Sequence, residues 1–401
     1  MEKKEKSKSS NGLEPTVKAV LIADSEISWL EEVLKSLAAQ DYKKIDFLLI
    51  QPSKEKANSE IQELITRIVP SAKLIRTETS KKYPHLANLS LQNESAPPKE
   101  NFFLFLKDDL LLDATCVRRM VELAIEGNAG IVGPKILNAE NPTQLEDMGS
   151  IMDHFCSPVA RAEKGENDQG QHDLPKEVSV VPESAMLIRA DLFRAIGGYD
   201  PEIESPDNNV EICLRSHLVG AKILLASNSV ATRFKNQKPV THLGVQISRP
   251  RNRIRMTLAS SFGVSLFRSI LESIAITTSG IVYGLTTGRF SLIWGHASAF
   301  GWNLKRLKSL SPVRKRIREN HVATSKKSEH LKPQQHSFRR AVIGNAPSGT
   351  GPEALTRIRV HQLWSALLGP GGIALLVAGS VLGFGSRHLL PKGLPAIGSF
   401  Q

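Results

Sequence analysis

Short runs of mainly apolar residues, each followed by a polar turn and then a helical pattern, constrain this chain more than any other feature. Val17–Ala23, Ile45–Ile50 and Asn101–Leu106 (NFFLFL) carry β-branched or aromatic residues with no polar alternation. A strand of that kind is buried on both faces, and a mostly parallel sheet covered by helices buries it that way. Between the runs, Trp29 to Ala39 sets Leu30, Val33, Leu34 and Leu37 at helical spacing, and Glu60–Val69 predicts a second helix before a short strand at Lys73–Ile75. Further on, the pattern predicts a helix from Asp113 to about Glu126, a short strand at Gly130–Pro134, and strands at Val178–Val181 and Ala185–Ile188. A helix at Asp191–Ile196 is stopped by Gly197-Gly198, and a helix at Asn208–Leu218 leads to a strand at Ala221–Ala226. Gly149 to Asp173 reads as irregular and polar. The fold class is therefore α/β, with a mostly parallel, Rossmann-like sheet.

In such sheets a ligand sits at the carboxyl ends of the strands. That directs attention to Asp24, to the Gln51-Pro52-Ser53 turn, and to Asp108-Asp109 after the NFFLFL strand. The plainer alternative is that Asp24 caps the next helix and that the acid pair caps the element after it.

The chain has 401 residues and a formal charge of +12, and most of the excess lies between Arg233 and Arg359. No zinc-finger spacing, aromatic RNA-binding motif or helix-turn-helix pattern accompanies that charge, so nucleic acid is not the expected partner. Beside apolar helices, a basic stretch points to an anionic membrane surface. The 3 cysteines (Cys116, Cys156, Cys213) form no paired motif, which excludes a disulfide framework and a thiolate zinc site. Met1–Ser10 is Lys/Glu/Ser-rich without an apolar core, so it does not read as a secretory signal.

Beyond residue 250, Met256–Phe267 and Ser273–Gly288 are apolar but shorter than the roughly 20 residues a span needs. Arg306–Arg318 is basic, and His321–Ser348 is polar and reads as disordered. Leu363–Ser386 has no charged residue and is long enough to cross a bilayer. Arg339, Arg340, Arg357 and Arg359 before it favour a cytoplasmic N-terminal flank. The organisation expected is a disordered leader over 1–14, an α/β domain over 15–235 and a basic connector over 236–255. Membrane-associated or transmembrane helices over 256–310 follow, then a basic linker over 311–360 and a transmembrane helix over 363–386.

Four segments carry a likeness to a known family. They are VKAVLIADSEISWLEEVLKSLAAQ, FFLFLKDDLLLDATCVRRMVELA, the loop GENDQGQHD with VSVVPESAMLIRADLFRAIGGYDP, and NNVEICLRSHLVGAKILL. Together, Val17 to about Phe234 resembles the family 2 glycosyltransferases of the GT-A fold, and most nearly the membrane-linked actinobacterial group. The resemblance implies inverting transfer of a sugar from a nucleotide-diphosphate donor to a cell-envelope or lipid-linked saccharide acceptor, at the cytoplasmic face of the cell membrane. It also implies a Mn2+ or Mg2+ ion on the leaving diphosphate and a carboxylate base for the attacking hydroxyl.

Carried over residue by residue, the resemblance puts Asp109 at the metal, with Asp108 beside it and Lys107 where the family has its first acid. Lys107 is then placed to neutralise the diphosphate. Asp24 and Asn88 fall among the nucleotide contacts, while the acid usual after the second strand is replaced by Gln51-Pro52-Ser53. Asp168, His172 and Asp173 lie in the acceptor or lid loop. At the catalytic position the family's acidic pair is Asn208-Asn209, and an amide accepts no proton at neutral pH. Asn209 is expected to face the acceptor, with Asp207 and Glu211 as the neighbouring carboxylates. The alternative function is a decayed transferase domain serving as a binding or scaffold protein at the membrane.

Overall fold

The computed structural model describes residues 14–23, 27–52, 59–77, 82–92, 99–153, 155–163, 165–203, 205–234, 242–320, 362–364 and 380. Asp24, most of the expected leader and nearly all of the expected span at 363–386 lie outside the described residues.

The chain opens with alternating strands and helices: β1 (Val17–Ile22), α1 (Ile27–Ala38), β2 (Ile45–Pro52), α2 (Ser59–Ile68), β3 (Lys73–Thr77), α3 (Tyr83–Gln92) and β4 (Phe102–Lys107). β5 (Leu110–Leu112), α4 (Cys116–Glu126), β6 (Ile131–Asn138), β7 (Leu145–Asp147), β8 (Ser150–Met152), β9 (Pro158–Ala160) and β10 (Lys176–Glu177) follow. The domain ends with β11 (Ala185–Arg189), α5 (Ala190–Ile196), α6 (Asn208–Leu218) and β12 (Ile223–Arg233). Four helices come after it: α7 (His242–Ser260), α8 (Gly263–Thr287), α9 (Phe290–Leu304) and α10 (Leu307–Asn320).

The main sheet has the order β10-β12-β6-β11-β4-β1-β2-β3, with β5 on β12 and β7 on β6. β3, β2, β1 and β4 run parallel, as the largely apolar runs of β2, β1 and β4 predict. β11 is inserted antiparallel between β4 and β6. Alternate residues of each central strand serve opposite faces. Ala19, Leu21, Leu104 and Leu106 pack under Leu30, Val33 and Leu37 of α1, Ile61 and Ile65 of α2, and Val117 and Met120 of α4. Val20, Ile22, Phe103 and Phe105 pack on the other face against Leu86 of α3, Phe193 of α5 and Ile212 of α6.

Two expectations change in detail. The strand expected at Val178–Val181 is not regular: Val178 donates a single bond to Ile223, Val180 forms an isolated antiparallel bridge with Ser150, and the ladder residues are Lys176–Glu177 just before. The irregular stretch 149–173 contains the small hairpin β8–β9.

Helix α7 spans most of the stretch read as a basic connector, and α10 spans the first part of the basic linker. One charge of α7 is spent inward. Arg255 of α7 is 1% exposed and binds both oxygens of Asp200 at 2.7 and 2.9 Å. Leu310, Val313 and Ile317 of α10 pack with Ala259 of α7. Among the described residues, α8 is the helix long and apolar enough to cross a membrane, on length and composition alone.

Candidate functional site

β4 delivers Lys107, Asp108 and Asp109 to the carboxyl end of the sheet. Because β11 runs antiparallel to β4 with Ala185 opposite Leu106, the residues entering β11 arrive at that same end. Glu183 and Ser184 therefore sit beside the acid turn. The Lys107 backbone N–H donates to the Ser184 carbonyl at 3.0 Å, and Lys107 Nζ lies 2.9 Å from Glu183 Oε1. Arg233, the last residue of β12, closes the other side: its Nε is 3.3 Å from Asp109 Oδ2, and its guanidinium also meets Ser184 Oγ. Asp109 is 4% exposed. Burial pushes its carboxyl above the ordinary range, against the pull of Arg233 and Lys107. Its Oδ1 has no hydrogen-bond partner among the described residues.

The first turn of α6 forms the facing wall. Asn209 Nδ2 donates to the Pro182 carbonyl at 2.8 Å, and the Tyr199 hydroxyl donates to Asn209 Oδ1 at 3.4 Å. Asp207 accepts from Asn252 Nδ2 of α7 at 2.9 Å, and burial raises its carboxyl while Arg249 and Arg253 oppose the rise. Asn208 is 1% exposed, with neither side-chain polar atom hydrogen-bonded among the described residues. Ser205, ahead of the helix, donates to Glu183 Oε1 at 3.4 Å. The Glu183 carboxylate thus lies between the acid turn of β4 and the start of α6.

Not every residue singled out from the sequence gathers there. Glu211 points into the domain, gripped by Arg215 through both oxygens, and Arg215 also donates to the carbonyls of Ile196 (2.7 Å) and Gly198 (2.6 Å). Asn88 pairs with the backbone of Tyr199, donating to its carbonyl at 2.9 Å and accepting from its N–H at 2.8 Å. Asp168 and Asp173 hold Lys135 of β6 at 2.6 and 3.3 Å, and His172 Nε2 meets Glu166 at 3.0 Å. Those contacts tie the loop to the sheet. Lys107, Asp108, Asp109, Asp207 and Asn209 are the expected residues that do converge, and Glu183 joins them without having been expected. An acid just before an apolar strand was visible, but not the direction of that strand beside β4.

Among the described residues, no group of three or more His, Cys, Asp or Glu side chains is arranged to hold a metal ion. The acid turn is instead flanked by Lys107 and Arg233.

An α/β sheet in this order, with an acid turn after its fourth strand and a helix start opposite, defines a domain of the GT-A class. Residues 19–197 match the sequence model described as Glycosyl transferase family 2. Among solved structures, the crystal structure of GalNAc-T7 with UDP, GalNAc and Mn2+ superposes with a TM-score of 0.50 at 16% identity. That match covers 65% of this chain and 51% of the other, so the chain spans about half the length of GalNAc-T7 in that structure. S. aureus TarS 1-349 aligns over 87% of this chain and 91% of its own, at 11% identity and a TM-score of 0.46. A comparison with curated protein sequences found no match.

Proposed function

We propose that this chain is a membrane-associated, inverting glycosyltransferase that moves a sugar from a nucleotide-diphosphate donor to a cell-envelope or lipid-linked saccharide. The observation that carries the reading is the meeting of Lys107, Asp109 and Glu183 with the first turn of α6 at the carboxyl end of the sheet. Donor diphosphate would meet Lys107 and Asp108, with Asp24 at the nucleotide and Asn88 acting through Tyr199. The acceptor would approach Asn209 and Asp207, under the loop of Asp168, His172 and Asp173. Asp109, with its unpaired buried oxygen, would hold a Mn2+ or Mg2+ ion, the remaining ligands coming from the donor. Such an ion supplies charge neutralisation to a leaving diphosphate. The Mn2+ in the GalNAc-T7 structure supports that reading.

Titrating the full chain with UDP, GDP and dTDP, in Mn2+ and in EDTA, tests this. One nucleotide should bind, and bind more tightly with the metal. Lys107→Met should weaken it by about tenfold, the order expected for one charge-assisted contact. Silence from all three nucleotides would sink the proposal.

The membrane reading is supported by an apolar stripe on α8. Val264, Phe267, Leu271, Ile274 and Leu285 are exposed on it, with Phe290 and Trp294 on α9. An amphipathic helix of this kind lies in a lipid interface, and basic α10 complements an anionic surface. The cytoplasmic face of the cell membrane is the location proposed. The chain should co-sediment with phosphatidylglycerol vesicles, and Phe267→Asp with Leu271→Asp should leave most of it in the supernatant. Equal recovery of both proteins with the vesicles would count against this surface.

A decayed, binding-only domain is the second reading. It is favoured by Asn209, whose amide is already committed to Pro182 and Tyr199.

A further inference from the structure

The amide at position 209 leaves the transfer reaction without its usual proton acceptor, and the carboxylates around it differ sharply in what they are free to do. Asp207 is 4% exposed and bound by Asn252. Glu211 is 3% exposed and doubly bound by Arg215. Asp109 is 4% exposed and held by Arg233. Glu183 is different: its side chain is 22% exposed, so a substrate hydroxyl can reach it. Its backbone neighbour, the Pro182 carbonyl, accepts the hydrogen bond of Asn209 Nδ2, and its carboxylate accepts from Ser205 two residues before Asp207. It therefore stands at the acceptor wall while touching Lys107 on the donor side.

We infer that Glu183 is the general base, taking over from strand β11's entry the task that position 209 has lost. The inference rests on the transferase reading above. Glu183 removes the proton of the acceptor hydroxyl, and that oxygen forms the new bond to the anomeric carbon. The bond from that carbon to the diphosphate oxygen breaks, and the nucleoside diphosphate leaves with the electron pair, its charge met by Lys107. Glu183 ends protonated and releases the proton to solvent through its exposed edge. Lys107 and Glu183 then belong together: the cation sits where the family has an acid, and the acid has moved to the neighbouring strand.

The test uses the full chain, wild type and with Glu183→Gln or Glu183→Asp. Two readouts are taken: calorimetric binding of UDP, GDP and dTDP, and nucleoside diphosphate release from UDP-, GDP- and dTDP-sugars with a membrane-lipid extract as acceptor source. The expected result is release by the wild type, a loss of at least ~100-fold in Glu183→Gln, as for removal of a general base, and partial activity in Glu183→Asp. Nucleotide affinity should hold or tighten in Glu183→Gln, because Lys107 is then unpaired, and its melting temperature should stay near wild type. Release at wild-type rate by Glu183→Gln overturns the inference and assigns Glu183 to holding Lys107. No release by the wild type also overturns it. Nucleotide binding in that case leaves the donor-site reading standing, whereas no binding removes that reading too.

Discussion

Replacing Arg215 by methionine should destabilise the N-terminal domain by about 3–5 kcal/mol, because it strands a buried carboxylate. Arg215 and Glu211 are 2% and 3% exposed, and the guanidinium also holds the carbonyls of Ile196 and Gly198. Removing it leaves Glu211 and both carbonyls without their donor in a place water does not reach. Burial already pushes the Glu211 carboxyl upward, with Arg215 opposing, so the unpaired acid should take up a proton on folding. The sign follows from that shift. An acid whose folded pKa lies above its unfolded value loses stability as pH rises through the folded value, so the Arg215→Met defect should be smallest in acid and grow toward neutrality. Urea denaturation of both proteins across that pH range measures it. The double variant Arg215→Met with Glu211→Leu should recover part of the loss, and equal defects at every pH would refute the account. This pair is scaffold, so the variant should fail by unfolding and not by losing a reacting group.

The second large effect is expected at Arg255. Its pairing with Asp200 joins α7 to the turn after Gly197-Gly198, with both partners buried. Arg255→Met should again cost about 3–5 kcal/mol by leaving Asp200 uncompensated, but the damage should be local. Amide exchange should rise first in α7 and α10, which share the packing of Ala259, Leu310 and Ile317, while β1, β2 and β4 keep their protection. Exchange rising uniformly through the domain would mean that the helices and the sheet unfold as one unit. Because Asp207 also leans on α7 through Asn252, the same variant should disturb the start of α6.

These pairs mark where reading the chain residue by residue runs out. Helix α3 has the sequence YPHLANLSLQ, whose Pro, His, Asn and Ser blur any apolar periodicity, yet Leu86 and Ala87 are buried by the sheet above them. Helix α7 carries HLGVQISRPRNRIRMTLAS, with Pro250 inside and a basic character that reads as a connector. Its polar side chains are accommodated only because Asp200 and Asp207, far away in sequence, meet Arg255 and Asn252. No local rule predicts such a pairing.

What the sequence determined by itself is the α/β class, the core strands and the position of Lys107, Asp108 and Asp109 at a strand end. Uninterrupted β-branched and aromatic runs have no stable place except the middle of a covered sheet. The α6 boundaries were also legible, since Asn208–Leu218 is bounded by its own polar start and a glycine turn. Only the tertiary structure decided what surrounds those residues. Strand direction places Glu183 beside Lys107, helix rotation turns Glu211 inward and leaves Asn209 at the wall, and the docking of α7 brings cations to Asp207. The physical reason is range: a strand's burial follows from its own residues, whereas a site depends on side chains that meet only after the sheet has chosen its order and direction.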